Sequence, residues 1–80
     1  MATRFNEIVS MEIRAEMARQ RRTQGDLAPA LGLAQVSLSK RLTGVVAWST
    51  DEIECAAREL GVPIEQLVTP ARGDLERSGT

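Results

Sequence analysis

Apolar residues recur every four positions near the start of the chain. Phe5, Val9, Ile13 and Met17, with Ile8 and Ala18 beside them, trace one face of a helix. No Gly or Pro interrupts the stretch from Phe5 to Arg22. Arg19, Arg21 and Arg22 close it, where cations suit the negative end of the helix dipole. The pattern then shortens in "TQGDLAPALG". Thr23 with Asp26 three residues on resembles a capping box, Asp standing in place of Glu or Gln. Leu27, Ala30 and Leu31 face one side until Gly32 ends the segment. Gly25 in the first turn and Pro29 inside both oppose a regular helix. Pro29 lacks the donor that would meet the Gly25 carbonyl, which predicts a kinked or tightened turn.

After Gly32 and Leu33 the stretch "LGLAQVSLSKRL" predicts a third helix from about Ala34 to Thr43, stopped by Gly44. Leu38 and Leu42, spaced i,i+4, mark its buried side. Gln35, Val36, Ser39, Lys40 and Thr43 are left outward, too polar a row for a core helix. In "VVAWSTDEIECAARELG" the boundary is clearest. Ser49 and Glu52 make a capping box, and Trp48 and Ile53 stand at the positions of a hydrophobic staple. Ile53, Ala56, Ala57 and Leu60 give the buried face, and Gly61 ends the helix. Pro63 starts a fifth, with Ile64, Leu67 and Val68 apolar. The pattern as a whole predicts an all-α fold, a compact bundle of about five short helices over residues 1–68. Residues 69–80 are polar and without a stripe, which predicts a flexible C-terminal tail.

Composition narrows the chemistry. Eighty residues suit one domain, and with Phe5 and Trp48 as its two aromatics the core must be close-packed aliphatic side chains. The single cysteine, Cys55, excludes an internal disulfide and fits a reducing compartment. It reads as a small, part-buried side chain beside Ala56. There is no histidine, so a nucleophile–histidine pair is excluded, and no cluster has metal-ligand spacing. No enzyme, cofactor or metal is expected. No apolar run approaches the length of a membrane span, and a cytoplasmic protein is expected. The net charge of −1 conceals a division. Residues 1–44 carry +3, from Arg4, Arg14, Arg19, Arg21, Arg22, Lys40 and Arg41 against Glu7, Glu12, Glu16 and Asp26; residues 45–80 carry −4. Halves of opposite sign give the molecule an electrostatic direction.

Two short helices joined at Gly32, the second with one buried face and one row of hydrogen-bonding side chains, form a helix-turn-helix pattern over about residues 23–43. "TQGDLAPALGLAQVSLSKRLTG" followed by "WSTDEIECAARELGVPIEQLV" resembles the lambda-repressor-like (Cro/repressor, XRE-type) DNA-binding family. "SKRLTG", Trp48 and "DEIECAARELGVP" are closest to its actinobacterial phage repressors. The likeness covers roughly residues 13 to 68. It departs at Ala34, where such proteins carry Ser or Thr to cap the recognition helix, a loss of roughly 1 kcal/mol.

The resemblance implies a sequence-specific, double-stranded DNA-binding transcription regulator, a phage or prophage repressor or Cro-like protein that acts by occupying an operator. In that geometry the second helix of the motif enters the major groove. Gln35, Val36, Ser39 and Lys40 are then the base-contacting candidates: Gln35 toward adenine N6 and N7, Lys40 toward guanine, and Val36 toward a thymine methyl. Gln24, Ser37, Arg19, Arg21, Arg22, Arg41 and Thr43 are the phosphate-contacting candidates, with Gln24 clamping the backbone by resemblance. Each could instead be an ordinary exposed side chain. A bacterial cytoplasm, no small-molecule ligand and, by a small margin, a homodimer on paired half-sites are expected. The competing reading is a protein-interaction module of the same fold, an antitoxin or phage accessory factor, which the low net charge favours.

Overall fold

The structure, a computed structural model, describes residues 4–70. It contains five helices among those residues and no strand: α1 (Arg4–Gln20), α2 (Gln24–Ala30), α3 (Gln35–Leu42), α4 (Thr50–Leu60) and α5 (Ile64–Val68). The all-α bundle expected from the apolar pattern is present. The proposed tail falls almost wholly outside the described residues; Thr69 and Pro70 alone belong to both.

Each boundary has a local cause. Ser49 caps α4 by accepting the Glu52 amide, and Glu52 returns the bond to the Ser49 amide, a complete capping box. Gly61 ends α4 at φ +70, a left-handed conformation that suits a residue without Cβ. Thr23 accepts the Asp26 amide at the start of α2, but the Asp26 carboxylate is bonded by Arg22 instead of reaching back, so this box is half made. Pro29 lies within α2, and the helix closes tightly just after it around Gly32, which is left-handed at φ +71. Leu31 N–H is shared between the Leu27 and Ala28 carbonyls, Gly32 N–H reaches Pro29, and Leu33 N–H returns to Ala28 at 2.9 Å. Ala34 opens α3 with no side-chain cap, as its missing hydroxyl requires.

Val9, Ile13 and Met17 of α1 join Leu27, Ala28, Leu31, Leu38, Leu42, Trp48, Ile53, Ala56, Ala57, Leu60 and Leu67 in one core. Two expectations for α1 fail. Phe5 is 47% exposed and Ala18 is exposed, because the core takes the stripe only from Val9 to Met17. In exchange α1 buries Ser10, Glu12 and Glu16. It packs against α3, α4 and α5 at once, so its covered surface is wider than one apolar stripe. Glu16 accepts from Arg19, Gln20 and Gln66, which ties α1 to α5. Gln20 also donates to the Leu60 carbonyl at 2.6 Å, satisfying an end group of α4.

Candidate nucleic-acid interface

α3 is mounted on Leu38 and Leu42, which are 0% and 3% exposed. At about 100° per residue, Gln35, Ser39, Thr43, Val36 and Lys40 then lie within an arc of about 140°. Gln35, Val36, Lys40 and Thr43 are exposed and Ser39 is half-buried. Val36, 63% exposed, sits near the middle of this row with polar side chains on either side. The row presents donors, acceptors and one pair of methyls, the chemical types that base edges in a major groove recognise.

α2 and α3 pack directly on each other. A Cβ added at Gly25 would stand 3.4 Å from Gln35 Oε1, so the backbone of α2 and the Gln35 amide are close neighbours. Gly25, which weakens α2 as a helix, is therefore at a place where the first turn of α2 and the first residue of α3 approach. Gln24, half-buried, begins α2 beside them.

The basic side chains divide into two groups. Lys40 and Arg21 are exposed and make no ion pair among the described residues. Arg21 holds φ +56 at the end of α1, the one non-glycine residue with positive φ among the described residues. Arg19 is paired with Glu16 at 2.6 Å, and that hydrogen bond, followed by the one from Gln20, holds the Glu16 carboxyl below its ordinary range although burial opposes it. Arg22, in the connection between α1 and α2, bridges Asp26 Oδ2 at 3.3 Å and the Glu59 carbonyl at 3.2 Å, joining that connection to α2 and to the end of α4.

Arg41 departs most from the sequence reading. It was expected beside Thr43 at the far edge of the row as a phosphate contact, but its guanidinium points to α4. Nε lies 2.8 Å from Glu52 Oε1, and a terminal nitrogen donates to the Ser37 carbonyl at 2.9 Å. The reason is angular: Arg41 falls about 100° beyond Lys40 around the helix, on the flank it shares with half-buried Ser37. Thr43 is exposed, and its hydroxyl donates to the Ser39 carbonyl at 2.9 Å.

Two side chains that the sequence did not single out, Ser10 and Asn6, stand behind the row. Ser10 Oγ donates to the Arg41 carbonyl at 2.7 Å and accepts the Trp48 indole N–H at 2.9 Å. Asn6 Oδ1 accepts the Trp48 amide at 2.8 Å. Burial pushes the Glu52 carboxyl up, but Arg41 and Ser49 more than offset it, leaving the pKa below the ordinary range. An open cleft of about 350 Å³ beside the end of α3 brings Arg14 of α1 together with Thr43 and Gly44. The signal for Ser10 was weak in the chain, since it looks like an ordinary helix-surface residue until the helices pack; Glu52 was legible as a cap but not as the partner of Arg41.

The fold is shared with two solved structures. A crystal structure described as a hypothetical transcription factor, NHTF, from Neisseria superposes with a TM-score of 0.80 at 23% identity, over 91% of this chain and 84% of that one. The solution structure of an SOS-response transcriptional repressor, LexA, from Eubacterium rectale gives a TM-score of 0.79 at 14% identity, over 90% of this chain and 77% of that one. No family model matches the chain, and no curated protein matches it. The all-α helix-turn-helix fold is thus shared with both of these proteins.

Proposed function

We propose that the chain is a sequence-specific double-stranded DNA-binding transcription regulator, a phage or prophage repressor or Cro-like protein that occupies an operator in a bacterial cytoplasm. The observation that carries this reading is the row on α3. Hydrogen-bonding side chains with one apolar member, rigidly backed by Leu38 and Leu42, are what groove reading requires and what folding does not. Gln35, Val36, Ser39 and Lys40 address base edges. Gln24, Ser37, Arg21 and Thr43 are backbone contacts, with Arg14 added from across the cleft. Arg19 and Arg22 would reach phosphate only by sharing or leaving their acid partners. The fold neighbours, described as a transcription factor and a repressor, support the same reading. Occupancy as a homodimer would place two such rows on successive turns of one duplex face.

One observation favours the competing reading, a protein-interaction module. Arg19, Arg22 and Arg41 are engaged with acids within the molecule, which reduces the positive charge available to DNA. Titration against random duplex DNA at rising salt separates the two. DNA binding predicts affinity at low salt that falls with a log–log slope of about −0.9 per phosphate contact. Absence of binding at low salt, or a flat salt response, rejects it. Selection of bound duplexes from a random library then gives the operator, its symmetry and the half-site spacing together.

A further inference from the structure

We propose that Arg41 and Glu52 clamp α3 from behind and so set the angle at which its outward row meets DNA. Arg41 acts as a positioning residue for base discrimination, not as a DNA contact. The inference rests on the DNA-binding reading above.

Both partners are held on more than one side. Arg41 donates to Glu52 with Nε and to the Ser37 carbonyl, one turn back on its own helix, with a terminal nitrogen. A planar guanidinium bonded on two edges has little freedom to rotate. Glu52 is fixed in turn, since Oε1 also accepts the Ser49 amide at 3.0 Å and the Glu52 amide donates to Ser49 Oγ at 3.1 Å. The carboxylate is thereby locked to the first turn of α4. The Arg41 backbone is held separately: its carbonyl receives the Ser10 hydroxyl, which in turn receives the Trp48 indole. One residue in the last turn of α3 is thus tied to α4 by its side chain and to α1 by its main chain.

Both charged side chains are 17% exposed. An ion pair so covered contributes little net stability, because desolvation offsets most of the attraction, so its main consequence is geometric. Leu38 and Leu42 fix the depth of α3 but are non-directional contacts that tolerate a small rotation about the helix axis. The Arg41–Glu52 bond is directional and removes that freedom. Such a rotation would carry Gln35, Val36, Ser39 and Lys40 together away from their base edges.

The test uses Glu52→Gln and Arg41→Lys in the full chain. Gln at this position still serves a capping box while the charge is lost. Lys keeps the charge of Arg41 but loses the fork. Affinity is measured across a salt series for a duplex selected from a random library by the unchanged chain, and for a scrambled duplex of equal length and composition. Circular dichroism confirms that each variant is folded. The expected result is that both variants lower the ratio of the two affinities by about tenfold, roughly one base pair of discrimination, with the scrambled affinity and the salt slope unchanged. Amide resonances of residues 35–43 and the Trp48 indole N–H should shift together in the free variants. A direct phosphate role for Arg41 gives the opposite pattern: Glu52→Gln strengthens binding to both duplexes, and Arg41→Gln lowers the salt slope by about 0.9. That pattern, or an unchanged ratio in both variants, overturns the clamp while leaving DNA binding intact. If the unchanged chain binds neither duplex at low salt, the DNA-binding reading falls, and the proposal with it.

Discussion

The indole nitrogen of Trp48 lies 2.9 Å from Ser10 Oγ, joining the residue before the α4 cap to the middle of α1 across 38 positions of sequence. Both residues are buried, and the same hydroxyl donates to the Arg41 carbonyl. Ser10→Ala therefore strands an indole donor in the interior, at a cost of about 1–3 kcal/mol. Urea denaturation should show this loss, and the double variant Ser10→Ala with Trp48→Phe should lose less than the sum of its single changes. Strict additivity would mean that the two groups are not coupled.

Arg21 occupies a left-handed conformation at the end of α1, with its amide bonded to the Ala18 carbonyl at 3.2 Å. Glycine adopts that conformation freely, whereas a side chain costs roughly 1 kcal/mol there. Arg21→Gly should stabilise the fold by about that amount and at the same time reduce the salt slope of DNA binding by about 0.9. A gain in stability with an unchanged slope would remove Arg21 from the backbone contacts.

Glu16 and Glu52 give the fold a dependence on acid. Both carboxyls titrate below their ordinary 4.5 in the folded chain, Glu16 through Arg19 and Gln20, and Glu52 against burial through Arg41 and Ser49. As pH falls, the unfolded chain takes up these protons first. The stabilisation is whole above about pH 4.5, declines as pH falls towards the folded-state values, and is absent below them. The thermal midpoint should fall more steeply between about pH 5 and pH 3 in the unchanged chain than in a Glu16→Gln, Glu52→Gln double variant. Parallel curves would place the acid sensitivity elsewhere.

Val36 offers a single methyl-to-methyl contact to test. Replacing thymine by uracil at each position of the selected duplex removes one C5-methyl and nothing else. At one position the unchanged chain should lose binding, by no more than about 1 kcal/mol, the scale of one buried methylene, while Val36→Ala is insensitive to the same replacement. If every thymine is as dispensable to the unchanged chain as to the variant, Val36 is an exposed valine with no partner in the groove.

Much of this protein was legible one turn at a time. The Ser49–Glu52 box, the glycine stops at Gly32, Gly44 and Gly61, and the Leu38–Leu42 pair are local signals, because caps and helical periodicity act over three to seven residues. The outward row on α3 followed from the same periodicity, since the buried pair fixes which side is left over. Phe5 was misread because a periodic stripe does not reveal where the partner elements end. Ser10, Glu12 and Glu16 were missed because a helix packed on several sides buries polar positions that its own pattern assigns to solvent.

Arg41 marks the division most sharply. The chain alone determined that it is a cation in the last turn of α3, one position from Lys40 and outside the Leu38–Leu42 stripe. The tertiary structure decided that it faces Glu52, eleven residues away at the start of α4, while Lys40 stays in the open. Helical periodicity assigns each residue an angle around its own axis. It does not say which neighbouring helix waits at that angle, and that neighbour determines whether a positive charge is held inside the protein or is available to bind.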